Sequence, residues 1–296
     1  MKIGVNNEAI LKNSPNFKEA CKRLKKIGYD GLDFPIYGDW ATPQPIFSEP
    51  REKWVNHFKE LRNIIEGEGL KVFQTHGTYR SDFDPDNMYY FTPMVVDQFA
   101  REIEATAILG SKYIVIHPIN MAVLSKNKEL DFERNMSEFS KLTPILKQFG
   151  VKNGVEDMFI WDTQCRFNTT TGCSTPDDMI RYIDGHNDRD AYCACLDTGH
   201  MLIHRIDPAA AVRKLGDRLE LLHVHDNDGI TDLHAPIGFG ITYWDELIKA
   251  LKEINYKGVF SLEVSFGKYA KHGEKAFWNI VEYTYESAKN LLDSCK

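Results

Sequence analysis

The sequence predicts an α/β fold, a (β/α)8 barrel forming one domain over residues 1–296. Three observations predict it. Eight short strand-like segments alternate with eight helical stretches, the pattern of a closed parallel barrel. The strand-like segments are apolar and separated by helices, as expected for a sheet covered on both faces. No Gly/Ser/Pro-rich linker, low-complexity tract or long charge run divides the chain. At 296 residues and 43% hydrophobic content it is long enough for one large core, and barrels of this length are routinely single domains.

The elements follow in order. The first strand is 2–6 (KIGVN). Ser14-Pro15 is expected to open the first helix, with Ser as N-cap and Pro at the first helical position. Phe17, Cys21, Leu24 and Ile27 give that helix an apolar face, and Gly28 stops it. The second strand is 31–36 (GLDFPI), followed by a helix over 51–66 with Trp54, Phe58, Leu61 and Ile65 on one side. The third is 70–77 (LKVFQTHG). Its helix starts at Pro93, buries Val96, Phe99, Ile103 and Ala107, and ends at Gly110. The fourth is 113–118 (YIVIHP), with a helix over 132–149 that Pro144 is expected to kink or interrupt. Strands 151–158, 191–200, 219–227 and 259–266 precede helices over 176–184, 208–215, 243–253 and roughly 274–293. The Lys22-Arg23-Leu-Lys25-Lys26 cluster reads as the solvated face of the first helix.

Several function classes are disfavoured. A doubly wound dinucleotide fold would carry a Gly-rich loop after its first strand, but NEAILKNSP stands there, and GxxxxGK[ST] is absent. A formal net charge of −7 argues against nucleic acid as partner. MKIGVNNEAI reads as a strand rather than a signal peptide. No apolar run approaches the roughly 20 residues of a membrane span, so a cytoplasmic protein without membrane contact is expected. Six scattered cysteines, Cys21, Cys165, Cys173, Cys193, Cys195 and Cys295, form no CxxC and are expected as free thiols. The sequons at Asn135 and Asn168 are read as chance.

In such a barrel the active site lies at the C-terminal strand ends. Those ends carry His76 on the third strand, His117 on the fourth, Glu156 on the fifth, Asp197 and His200 on the sixth, His223 on the seventh and Glu263 on the eighth. Taken singly, each has a plain structural reading: an acid there can be a helix N-cap, Asp197-Thr-Gly-His a turn, His117-Pro a strand terminator. Six consecutive strands ending in metal-binding residue types carry more weight. Alternation puts Cys193, Cys195 and Asp197 on one face of the sixth strand, and Ser261 and Glu263 on one face of the eighth. The small and polar set is expected to face the axis. Converging carboxylates repel unless a cation neutralises them, and mixed O/N ligation suits Mn²⁺, Mg²⁺, Co²⁺ or Zn²⁺. Glu156, Asp197, His223 and Glu263 are the expected ligands of one divalent metal ion. His225 shares a face with His223 and could replace it.

LDTGHM (196–201), GDRLELLHVHDNDG (216–229), DLHAPIGFG (232–240) and GVFSLEV (258–264) resemble the sugar phosphate isomerase/epimerase family. These are xylose-isomerase-like TIM barrels whose relatives include ketose 3-epimerases and endonuclease IV. The resemblance runs nearly end to end. It implies an isomerase or epimerase working through an enediolate on a small sugar, with Glu156 and Glu263 as both metal ligands and acid/base pair. It implies substrate contacts from His200; His76, His117, Asp232 and His234 are expected to contact the substrate beside it, and Trp161 or Asp162 to line the same pocket. The Arg that follows the seventh-strand histidine in the epimerases is missing; Asp232-Leu-His234 and Gly238-x-Gly240 stand there instead. That departure resembles endonuclease IV. All nine positions of its three-zinc centre find matches in His76, His117, Glu156, Asp197, His200, His223, Asp232, His234 and Glu263. A three-zinc phosphodiesterase is therefore the alternative. A homo-oligomer is compatible with either.

Overall fold

The computed structural model describes residues 1–36, 45–78, 90–119, 127–162 and 166–294. Among these, eight parallel strands form the barrel: β1 (Ile3–Asn6), β2 (Gly31–Pro35), β3 (Lys71–His76), β4 (Tyr113–Val115), β5 (Lys152–Glu156), β8 (Tyr192–Asp197), β9 (Leu219–His223) and β10 (Phe260–Leu262). Their order is β10-β1-β2-β3-β4-β5-β8-β9. The barrel closes just past β9: Val224 N donates to Ser261 O at 2.8 Å, and Glu263 N donates to Val224 O at 2.9 Å. All eight expected strands are present, each shorter than its apolar run. The strand ends splay into loops once the ladder stops.

An antiparallel hairpin, β6 (Phe159–Asp162) and β7 (Phe167–Thr170), follows β5 and was not expected. Phe159, Ile160 and Trp161 are partly or largely exposed and follow the fifth strand at once, so their short apolar run does not read as a strand of its own. The first long helix also starts differently. A short helix, Glu8–Lys12, precedes it, and Asn16 rather than Ser14 caps Phe17–Ile27 by accepting from Glu19 N at 3.0 Å. Ser14 instead donates to Ile10 O, closing the short helix. Pro144 acts as expected: the helix breaks into Lys128–Ser140 and Thr143–Phe149, with the proline in the first turn of the second.

The alternation argument holds. Cys193 and Cys195 lie inside the barrel with Val115 and Leu221. Ala194, Leu196, Phe260, Leu262 and Val264 belong to the larger core between strands and helices. Cys21, Cys173, Cys193 and Cys195 are buried free thiols; Cys165 and Cys295 lie outside the described residues. Burial pushes the Cys21 thiol up to about 12 and raises Cys173 and Cys193 well above the ordinary range. Thiolates are the reactive form. Iodoacetamide on the native protein is therefore expected to leave these four unmodified, checked by peptide mass spectrometry against an unfolded control. No helix among the described residues is long and apolar enough to cross a membrane.

Candidate metal centre

Strand parity and short turns bring the expected residues together. Glu156 ends β5, Asp197 ends β8 and His223 ends β9, all pointing inward; Glu263 follows β10. Asp197 is also the N-cap of the helix Thr198–Ile203. Its Oδ1 accepts from Gly199 N at 2.7 Å and His200 N at 2.8 Å. The structural reading of this acid as a cap and its place in the centre thus hold together, because a carboxylate has oxygens to spare. One donor atom from each of Glu156, Asp197, His223 and Glu263 falls within 4.8 Å of the others.

His223 occupies the middle. Its Nδ1 lies 2.8 Å from Glu156 Oε1 and 3.0 Å from Glu263 Oε2. One ring nitrogen cannot satisfy two carboxylates, so the arrangement fits a shared cation. Glu156 Oε2 makes the same point: it is buried, 2.9 Å from His117 Nε2, and has no hydrogen-bond geometry to it. His225 is elsewhere. It reaches Asp197 Oδ1 through Nε2 at 3.0 Å, stacks on His234 with ring centroids 4.0 Å apart, and its ring fills the space where a side chain on Gly199 would be. The geometry therefore puts His223, not His225, among the three carboxylates.

Two further groups flank this one. His76, His117 and Glu156 converge, as do His200, Asp232 and His234. Three of these histidines have Nδ1 against a backbone carbonyl: His76 on Gly77 O at 3.1 Å, His200 on Asp157 O at 2.7 Å and His234 on Glu263 O at 2.9 Å. An Nδ1–H donor there turns Nε2 inward, the usual arrangement of a ligating imidazole; His234 Nε2 here donates to Asp232 Oδ2 at 2.9 Å.

Asp232 and His234 arrive on a loop organised by Asp226, which sequence reading passed over. Asp226 and Ala235 pair through both backbone bonds, at 2.8 and 3.0 Å. The buried Asp226 carboxylate accepts from Gly238 N and Gly240 N at 2.9 Å, Thr242 N at 3.2 Å, Thr242 Oγ1 at 2.7 Å and Trp244 Nε1 at 3.3 Å. The Gly-x-Gly motif follows from this: a Cβ on Gly240 would sit 2.3 Å from Asn227 O. Hydrogen bonds to a charged group contribute about 1.5–3 kcal/mol each. Asp226→Ala is therefore expected to lose at least ~3 kcal/mol in urea unfolding, and to release Asp232 and His234 from the centre.

The charges compensate one another. Burial pushes the Glu263 carboxyl up, but His223 and His234 outweigh it and hold it at about 2. Burial acts likewise on Glu156, and His223 and His117 hold it well below the carboxylate range. Burial disfavours charge on His200, yet Asp197, Asp232 and Glu156 raise it to about 9. Against the same opposition, Asp232 raises His234 to about 10. His223 is lifted well above its usual range despite burial, by Cys195, Glu263 and Glu156. His76 goes the other way, to about 4, through burial and the neighbouring His117. Protons on these imidazoles do for the carboxylates what a divalent cation would do.

A cavity of about 660 Å³ opens over the centre, lined by His76, His117, Glu156, Asp232, His234 and Glu263 among others. Phe159 forms an apolar wall and packs edge-on to His200, with ring centroids 5.0 Å apart. Trp161, expected there, is not among the described lining residues and is 51% exposed. The unforeseen hairpin carries it outward, two residues beyond Phe159 along β6. The side chain of Asp162 lies outside the described residues. Lys12 and Lys268 also border the cavity, where no basic residues were foreseen. Lys12 pairs with Glu8 at 2.8 Å and Lys268 donates to Leu233 O at 2.6 Å.

Known proteins share this framework. A D-psicose 3-epimerase from Enterocloster bolteae is 26% identical over 256 residues, covering 84% of this chain and 76% of its own. A probable endonuclease 4 from Staphylococcus saprophyticus is 23% identical over 243 residues, covering 76% of each. The crystal structure of a D-tagatose 3-epimerase-like protein superposes with a TM-score of 0.73 at 23% identity, covering 100% of this chain and 98% of that one. The model of the xylose isomerase-like TIM barrel family matches residues 21–282, and the chain belongs to that family.

Proposed function

We propose that this protein is a divalent-metal-dependent sugar isomerase or epimerase. The observation that carries the reading is the pair Glu156 and Glu263, which face one imidazole nitrogen from β5 and from the end of β10 and line the cavity above it. Glu156, Asp197, His223 and Glu263 would hold the cation. When bound, it polarises a carbonyl and stabilises the negative charge that develops there. One glutamate, ionised, removes the proton from the carbon beside the carbonyl. The other enters the step carrying a proton from solvent and delivers it to the sugar, so the pair ends with its one proton on the first, which returns it to solvent. His76, His117, His200, Asp232 and His234 surround the remaining hydroxyls with acceptors and donors, and Phe159 excludes water from one side. Similarity to a protein named D-psicose 3-epimerase supports a ketose substrate.

The test is proton exchange. The protein is incubated with Mn²⁺, Mg²⁺, Co²⁺ or Zn²⁺ and a panel of free and phosphorylated ketoses in D₂O. Deuterium entering a carbon next to the carbonyl, read by NMR, is the expected result. No exchange with any ketose under any of the four metals would sink the proposal.

The two flanking groups favour a second reading, a three-zinc phosphodiesterase, since each gathers two histidines and a carboxylate, donors suited to zinc. About three Zn per chain by elemental analysis, together with cleavage of a duplex bearing an abasic site, would establish it. The net charge of −7 weighs against a nucleic-acid substrate.

A further inference from the structure

Among the fully buried acids that take no part in the roles above, Asp33 is the one beside His223. Asp33 lies on β2, at the inward parity of Gly31 and Pro35, while Leu32 and Phe34 belong to the helix-facing core. In register it stands between Asn6 of β1 and Gln74 of β3. Its Oδ2 accepts from Gln74 Nε2 at 3.3 Å and lies 3.4 Å from His223 Nε2. Neither Asp33 Oδ1 nor His223 Nε2 has a hydrogen bond among the described residues, and both are buried. A buried carboxylate without a partner is costly, and 3.4 Å is slightly long for an N–H···O bond. The opposite ring nitrogen, Nδ1, is the one drawn between Glu156 and Glu263.

We propose that Asp33, steadied by Gln74, is the positioning residue of the metal centre: it takes the Nε2–H of His223 and so presents the Nδ1 lone pair to the cation held with Glu156, Asp197 and Glu263. The inference rests on the metal-centre reading above. A carboxylate behind a ligating histidine fixes the tautomer and ring orientation, and its loss weakens metal binding by about 10–100-fold. Ring position alone cannot select a tautomer; an acceptor behind Nε2 can.

Two measurements test it. In the zinc-loaded wild type, imidazole ¹⁵N NMR, assigned by the signal missing from His223→Gln, is expected to show Nε2 protonated and Nδ1 shifted by the metal. A metal-bound or unprotonated Nε2 overturns the proposal, with no Asp33 variant needing to fold. Co²⁺ is then titrated calorimetrically into wild type, Asp33→Asn and Asp33→Ala. Affinity for Asp33→Ala is expected to fall about 10–100-fold, with Asp33→Asn between, since an amide oxygen still accepts but carries no charge. A folded Asp33→Ala with wild-type affinity overturns the role of Asp33 and leaves the metal centre standing. Failure of the wild type to bind Co²⁺ or Zn²⁺ overturns the metal-centre reading, and this inference with it.

Discussion

Glu263→Gln is expected to fold as the wild type does and to lose turnover by about 10²–10⁴-fold, the range of a positioned general acid or base. Glu156→Gln should behave the same way. The amide matches the carboxylate in size but can neither accept the substrate proton nor carry charge to a cation. The two losses separate on closer measurement. Both line the cavity, but Glu263 is the more exposed of the pair, whereas Glu156 is buried and shared between two groups of potential ligands. Glu156→Gln should therefore also weaken metal binding more than Glu263→Gln does. Rates on the best ketose, with circular dichroism as the folding control, check the first expectation; metal titration checks the second. A fully active Glu263→Gln would remove the acid/base assignment.

Metal removal is the second large effect. Chelation is expected to abolish turnover, and restoring the cation to recover it. The pH dependence has a definite sign. His223 is raised well above its ordinary range, so at neutral pH the centre without metal carries a proton on this ring that binding must expel. The carboxylates, held low, stay ionised. Apparent affinity should thus fall about tenfold for each unit by which pH is lowered, one proton per cation. If the flanking group of His200, Asp232 and His234 also takes a metal, two more protons leave, because His200 and His234 stand at about 9 and 10. That site would lose about a hundredfold per pH unit. Calorimetric titrations in buffers of different ionisation heat count the protons directly.

Legibility followed the strength of local pattern. The eight barrel strands were readable because each is an apolar run with turn residues after it. The inward direction of Asp197 and Glu263 was readable because side-chain parity in a strand is fixed by backbone geometry, and His76, His117, Glu156, His200 and His223 because each stands at or just after a strand end. The hairpin of β6 and β7 was not, since the apolar run over 158–161 is short and follows the fifth strand without a turn signal between them. Without it Phe159, which lines the cavity, went unnoticed beside Trp161, which is not among the described lining residues. Asp33 was hidden inside an otherwise ordinary strand. Its signal was an acid at inward parity, which means little until β9 is known to set His223 beside it. Asp226 was hidden by the same kind of distance: its carboxylate gathers partners from 12 to 18 residues further along.

By itself the sequence determined the barrel, the inward direction of the carboxylates at the strand ends and the gathering of His, Asp and Glu at one mouth, because these depend on periodicities of neighbouring residues. The tertiary structure alone decided that His223 rather than His225 sits among the carboxylates, that three groups rather than one converge, and that Asp33 stands behind the central ring. Those are distances between residues far apart in the chain, set by strand register and by the loop that Asp226 holds closed, and no local pattern encodes them.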